Sequence, residues 1–137
     1  MARLRDRGSK SSLLLKERSA PTENPELKPP LFSFEFMQAD YCVSECTSDE
    51  RSQVLSKLRT LSQMSWQQIK QAPRHGLGFE IIGRPSFKAA IPAFVTDDTN
   101  LISFRAIGKA PMVGYRDGRV FHILWIDRDF TVYDHGS

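Results

Sequence analysis

Cysteine is scarce in this chain. Cys42 and Cys46 are the 2 cysteines among 137 residues. So few argue against a disulfide scaffold, and two thiols four apart cannot complete a four-ligand zinc site by themselves. None of His75, His122 and His135 stands at a metal-site spacing, so the cysteines read as small buried hydrophobes. No run approaches 18 consecutive apolar residues, which gives no reason to expect a membrane span. The start, Met1-Ala-Arg-Leu-Arg-Asp-Arg7, lacks the apolar stretch of a secretory signal, and a cytosolic location is the default expectation. There is no phosphate-binding glycine loop, no GxSxG elbow and no Asp-rich metal loop. No internal repeat is evident. The sequence therefore offers no metal ligands and no cofactor.

A one-sided charge is also missing from most of the chain. Of 19 Lys/Arg and 16 Asp/Glu, residues 1–30 hold seven and four, and the remainder balance. The basic pI of about 9.0 thus comes from the N-terminal tail. A neutral domain lacks the many phosphate-neutralising cations of non-specific nucleic-acid binders, but it can still hold a local basic pocket. Residues 1–30 are rich in Arg, Lys, Ser, Glu and Pro, with few aromatics. They read as a disordered basic tail, with Pro21, Pro25, Pro29 and Pro30 opposing a regular element. Residues 31–137 read as one α+β domain.

Within that domain, Leu31–Met37 alternates, which predicts a strand with Phe32, Phe34 and Phe36 on one face. Thr47-Ser-Asp-Glu50 and Ser65-Trp-Gln-Gln68 are capping boxes. The first opens a helix carrying Val54, Leu55, Leu58 and Leu61 at helical spacing. The second opens a short helix with Trp66 and Ile69 inward, stopped by Ala72-Pro73. Leu77–Gly83 is a further strand candidate. Residues 84–98 read as a long loop, a length that often carries function. Three strands follow over Asn100–Gly108, Ala110–Arg116 and Arg119–Asp127, and Phe130–His135 closes the sheet. Asp117-Gly118 predicts a type I′ hairpin with both residues at φ > 0. Strands joined by short turns are antiparallel neighbours, and helices inserted after the first strand cover one face.

Several side chains in the last third suit phosphodiester chemistry. Arg105 and Arg128 can bind phosphate bidentately, and Tyr133 or His135 can exchange protons. A tyrosine at its usual pKa of about 10 is a poor base unless cations lower it. His75, between Arg74 and Gly76, suits a ligand-contacting loop. Lys88, Lys109 and Arg116 are further candidates for substrate contacts. His122, inside an apolar strand, reads as a core or sheet-face residue, as do Trp66 and Trp125. The site requires Arg105 and Tyr133 to share a sheet face.

The element order resembles the RelE/ParE toxin superfamily over Leu31 to His135. The likeness rests on Ser103-Phe-Arg105, Met112-Val-Gly-Tyr115, Asp117-Gly118, Val120–Ile126, Asp127-Arg128-Asp129 and Val132-Tyr133. It implies a curved antiparallel sheet with a helical pair inserted after the first strand. It also implies metal-free messenger-RNA cleavage, often on the ribosome, and a cognate antitoxin protein as partner. By this resemblance Arg105, Arg128, Tyr133 and His135 are catalytic. Pro111-Met112 stands where the family commonly has an arginine, a place Lys109 or Arg116 can fill. The alternatives are a non-enzymatic protein-binding module of the same fold, including the gyrase-inhibitor type, and an unrelated small-molecule domain.

Overall fold

The computed structural model describes residues 24–74 and 76–135. Residues 1–23, His75 and the last two residues lie outside the described residues. The strands are β1 (Leu31–Ser33), β2 (Glu80–Ile82), β3 (Leu101–Ile107), β4 (Ala110–Asp117) and β5 (Val120–Ile126). The helices are α1 (Ser48–Leu61) and α2 (Trp66–Gln71), both between β1 and β2. The five strands form one sheet in the order β1-β5-β4-β3-β2. The domain is α+β, with a mixed sheet rather than a wholly antiparallel one, because β1 runs parallel to β5. The long connection through both helices returns the chain to the far edge, which removes the antiparallel constraint of a short turn.

Both capping boxes form. Thr47 accepts from the Glu50 backbone N–H while Glu50 accepts from that of Thr47, and Ser65 and Gln68 repeat the exchange. In α1, Val54, Leu58 and Leu61 are buried, whereas Leu55 stands exposed on the flank of the stripe. These residues meet Trp66 and Ile69 of α2 over a sheet face built from Ile102, Phe104, Met112, Phe121, Ile123 and Ile126. Phe104 lies 5.2 Å from Phe121 and 5.5 Å from Phe79, edge to face.

The opposite face has its own core. Leu101, Val113, Leu124, Trp125, Val132 and Tyr133 pack beneath Phe87, Ala89, Ile91 and Val95 of the irregular stretch 83–100. A bulge between β4 and β5 changes which face the β5 side chains reach. The pairing jumps from Val113↔Trp125 to Gly114↔Ile123, so Leu124 is the extra residue. Ile123 and Trp125, two apart in sequence, therefore face opposite cores. Gly114 is required here: a Cβ would stand 1.9 Å from the His122 carbonyl oxygen.

Local expectations shift at several points. β1 ends at Ser33; the chain turns, leaving Phe34 exposed while Phe32 joins the helix-side core and Phe36 the other. The β4–β5 turn is Gly118-Arg119, because Asp117 pairs with Val120 and only Gly118 has positive φ (62°). The C-terminal residues do not form a strand; Tyr133 makes an isolated bridge to Phe87. Residues 24–30, assigned by composition to the tail, pack on the domain. Pro25–Leu27 form a 3-10 turn, Lys28 O accepts from the Trp66 N–H, and Arg119 Nε donates to Pro29 O.

Candidate functional site

The C-terminal segment is held by a buried carboxylate. Asp127, fully inaccessible, follows β5 directly. Its Oδ1 accepts from the Thr131 N–H at 2.7 Å and its Oδ2 from the Val132 N–H at 3.0 Å. Phe130 takes a left-handed conformation (φ 60°) to make the reversal. Val132 O then accepts from the Lys88 and Ala89 N–H groups, and the Asp134 N–H donates to Ser86 O. Every step satisfies backbone groups that a buried, non-sheet segment would otherwise leave bare.

This tether aims two rings. The His135 ring stacks on Tyr133 with centroids 3.9 Å apart and 28° between planes. Its Nε2 lies 3.3 Å from Asp127 Oδ2, and the edge of Phe130 closes over it at 5.1 Å. A ring nitrogen held by a carboxylate leaves the other nitrogen for chemistry. The Tyr133 hydroxyl donates to Ser103 Oγ at 3.3 Å. Burial pushes the Tyr133 phenol up from its ordinary value, outweighing the opposing hydrogen bond to Ser103 and the field of Arg105. Tyr133 is therefore a held proton, not an activated base, and the sequence-based condition for a tyrosine base is not met.

Tyr133 and His135 border a polar cleft of about 210 Å³, completed by Arg74, Glu80, Ser103, Arg105, Lys109 and Pro111. Ser103 and Arg105, two apart on β3, point the same way. A bulge between Arg105 and Ile107 bends the strand at its end, as bulges beside sites often do. Gly108 (φ 56°) turns the chain and presents Lys109. Arg74 pairs with Glu80 at 2.9 Å. The cleft thus carries three cationic side chains, one carboxylate, two hydroxyls and an imidazole, a set suited to a phosphate ester.

Of the residues singled out from sequence, Arg105, Lys109, Tyr133 and His135 come together here, with Arg105 and Tyr133 on one face. Arg128 does not line the cleft. Its Nε binds Glu50 Oε1 at 2.7 Å, fastening the turn after β5 to the start of α1. The capping hydrogen bond of Thr47, reinforced by Arg128, holds the Glu50 carboxyl below its ordinary range. Arg116 lies on the helix side, 4.2 Å over the Trp66 ring and paired with Glu26. Lys88 is exposed, its backbone spent on Val132, and it does not line the cleft. His75 lies outside the described residues.

Sequence reasoning missed Ser103, Glu80 and Asp127. Ser103 was legible as the same-face neighbour of Arg105. Asp127 carried no such signal, because a carboxylate after a strand reads as a solvated turn residue. His122 is a sheet-face residue stacked on Tyr115 at 4.8 Å. Among the described residues, no group of three His, Cys, Asp or Glu side chains is placed to hold a metal ion, and no helix is long and apolar enough to cross a membrane. Comparison with protein-family models, with curated proteins and with solved structures finds no match to this chain.

Proposed function

We propose that the chain is a toxin-like endoribonuclease that cleaves RNA without a metal, using the cleft between β3 and the C-terminal segment. The observation that carries this reading is the convergence of Ser103, Arg105, Lys109, Tyr133 and His135 on one small cavity. In the proposed reaction the free His135 nitrogen takes the proton of an RNA 2′-hydroxyl. The 2′-oxygen bonds to the adjacent phosphorus and the P–O5′ bond breaks, giving a 2′,3′-cyclic phosphate and a 5′-hydroxyl. Arg105 and Lys109 stabilise the charge that develops on the phosphoryl oxygens. Tyr133, kept protonated by burial, supplies a proton through Ser103 to the departing oxygen. Asp127 is a positioning residue, orienting His135 as carboxylates orient histidine bases.

The RelE/ParE resemblance adds the setting: a cytoplasmic toxin, acting on messenger RNA at the ribosome and restrained by a cognate antitoxin. The helical pair packed on the sheet is compatible with it. The test is incubation of purified protein with a synthetic RNA, both free and as the message in a ribosome complex. Cleavage leaving cyclic phosphate ends, abolished by a 2′-deoxy residue at the cut, is the expected result. Arg105→Ala and His135→Ala should each reduce it about 100-fold or more, the usual worth of a positioned proton-transfer group or charge clamp. Intact RNA from folded protein, with growth arrest on expression, would replace this reading with the protein-binding module.

A further inference from the structure

Arg105 and Lys109, which line the cleft, also line a second, larger cavity of about 550 Å³ between α1 and the end of β3. One wall is helical. Ser52, Ser56 and Thr60 recur every four residues, with Gln53 and Lys57 beside them, so they share a face away from the Val54–Leu58–Leu61 stripe. The other wall is Arg105, Ala106, Gly108 and Lys109. Both ends are pinned: Gln53 Oε1 accepts from the Gly108 N–H at 3.1 Å, and Lys57 Nζ donates to Gly76 O at 3.0 Å. Among the described residues, three cationic side chains and three hydroxyls line this groove, and no carboxylate does.

The opposite exit differs. A cavity of about 250 Å³ beyond Tyr133 and His135 is lined by Glu80 and Asp134 and, among the described residues, by no lysine or arginine. Glu80 is paired with Arg74, so Asp134 sets the sign on that side, and a polyanion leaving the cleft meets more positive charge on the side of Lys57 and Lys109. Burial, with the nearby Arg105 charge, lowers the pKa of the Lys57 ammonium, and a phosphate beside both cations would favour its charged form.

We infer that the α1–β3 groove binds the sugar–phosphate backbone of single-stranded RNA flanking the cut, with Lys57 contacting a phosphate and Ser52, Ser56 and Thr60 donating to sugar and phosphate oxygens. This rests on the proposed RNA-cleaving reading and names the path of its substrate. It also explains how a charge-neutral domain engages RNA: the cations are concentrated along one track.

The test uses a short fluorescent 2′-O-methyl oligoribonucleotide, which cannot be cleaved, and follows anisotropy across a salt series. Lys57→Met keeps the aliphatic stem and removes the charge. Losing one phosphate contact should weaken binding about fivefold at about 0.1 M salt and make the salt slope shallower by about 0.7. Arg59→Met, removing an equal charge from an exposed α1 position outside the groove, should leave the dissociation constant within about twofold of wild type. Should Lys57→Met fail to fold, Ser56→Glu at an exposed position should weaken binding at least as much. Equal binding by wild type and groove variants, or equal loss from Arg59→Met, would overturn the groove. Lys57-dependent binding with no cleavage of unmodified RNA would retain the groove and remove the catalytic reading.

Discussion

The two faces of the sheet are covered by different means. On the helix side, two capped helices press an apolar stripe onto Phe104, Phe121 and Ile123. Regular elements satisfy their own backbone groups, so this face needs little beyond area and shape. On the other side the cover is irregular chain, held by polar anchors. Asp127 grips residues 131 and 132, and Arg84 Nη2 donates to the carbonyls of Val95, Thr96 and Thr99. An irregular cover leaves gaps, and the candidate cleft lies at its margin, where the apolar floor of Leu101 and Val113 gives way to Ser103 and Arg105. One face supplies rigidity, and the other supplies a polar opening resting on it.

Truncation at the centre of each face sharpens this contrast. Phe104→Ala, beneath Trp66, Phe79 and Phe121, should destabilise the whole domain by about 3–5 kcal/mol. Denaturant melts should then shift by every probe together; a shift in only one probe would show that the helix side is not the global core.

Asp127→Asn keeps one acceptor and leaves one buried donor poorly served, an expected cost of about 1–3 kcal/mol. Here the loss should be local. Amide exchange at Thr131 and Val132 should accelerate more than exchange in β3 or β4. Uniform acceleration would contradict the picture of a tethered cover on an independent sheet.

A smaller effect belongs to Glu26, which joins the N-terminal turn to the helix side. The Lys70 hydrogen bond, with help from Arg116, holds its carboxyl below the ordinary value. The folded pKa lies below the unfolded one, so the contribution is present above the unfolded value and is lost as pH falls through the folded value. Wild type should exceed Glu26→Gln by less than about 1 kcal/mol at neutral pH. That difference should vanish in acid, as read from paired melts; a difference that grows in acid would refute the pairing.

The capping boxes, the helical stripe and the three long strands were legible because each depends on neighbours a few residues apart. The Leu55 exposure, the Phe34–Phe36 turn and the one-residue shift at Gly118-Arg119 were not, since each is set by what packs across the chain. The same division runs through the site. Arg105, Lys109, Tyr133 and His135 were identifiable by chemistry, but so were Arg116 and Arg128, and composition cannot tell a cation facing a cleft from one paired with Glu26 or Glu50. Trp125 illustrates the limit: its alternation with Ile123 predicts a shared face, and the bulge at Leu124 places them in separate cores.

By itself the sequence determined the elements, their order and the kinds of groups available, because capping, periodicity and turn chemistry act over a few residues. Only the tertiary structure decided that β1 lies parallel to β5, that irregular chain forms a second core, and that Asp127 aims His135 into a cleft with Arg105. Those outcomes depend on contacts between distant residues, such as the 30 positions separating Tyr133 from Ser103, and no local pattern encodes them.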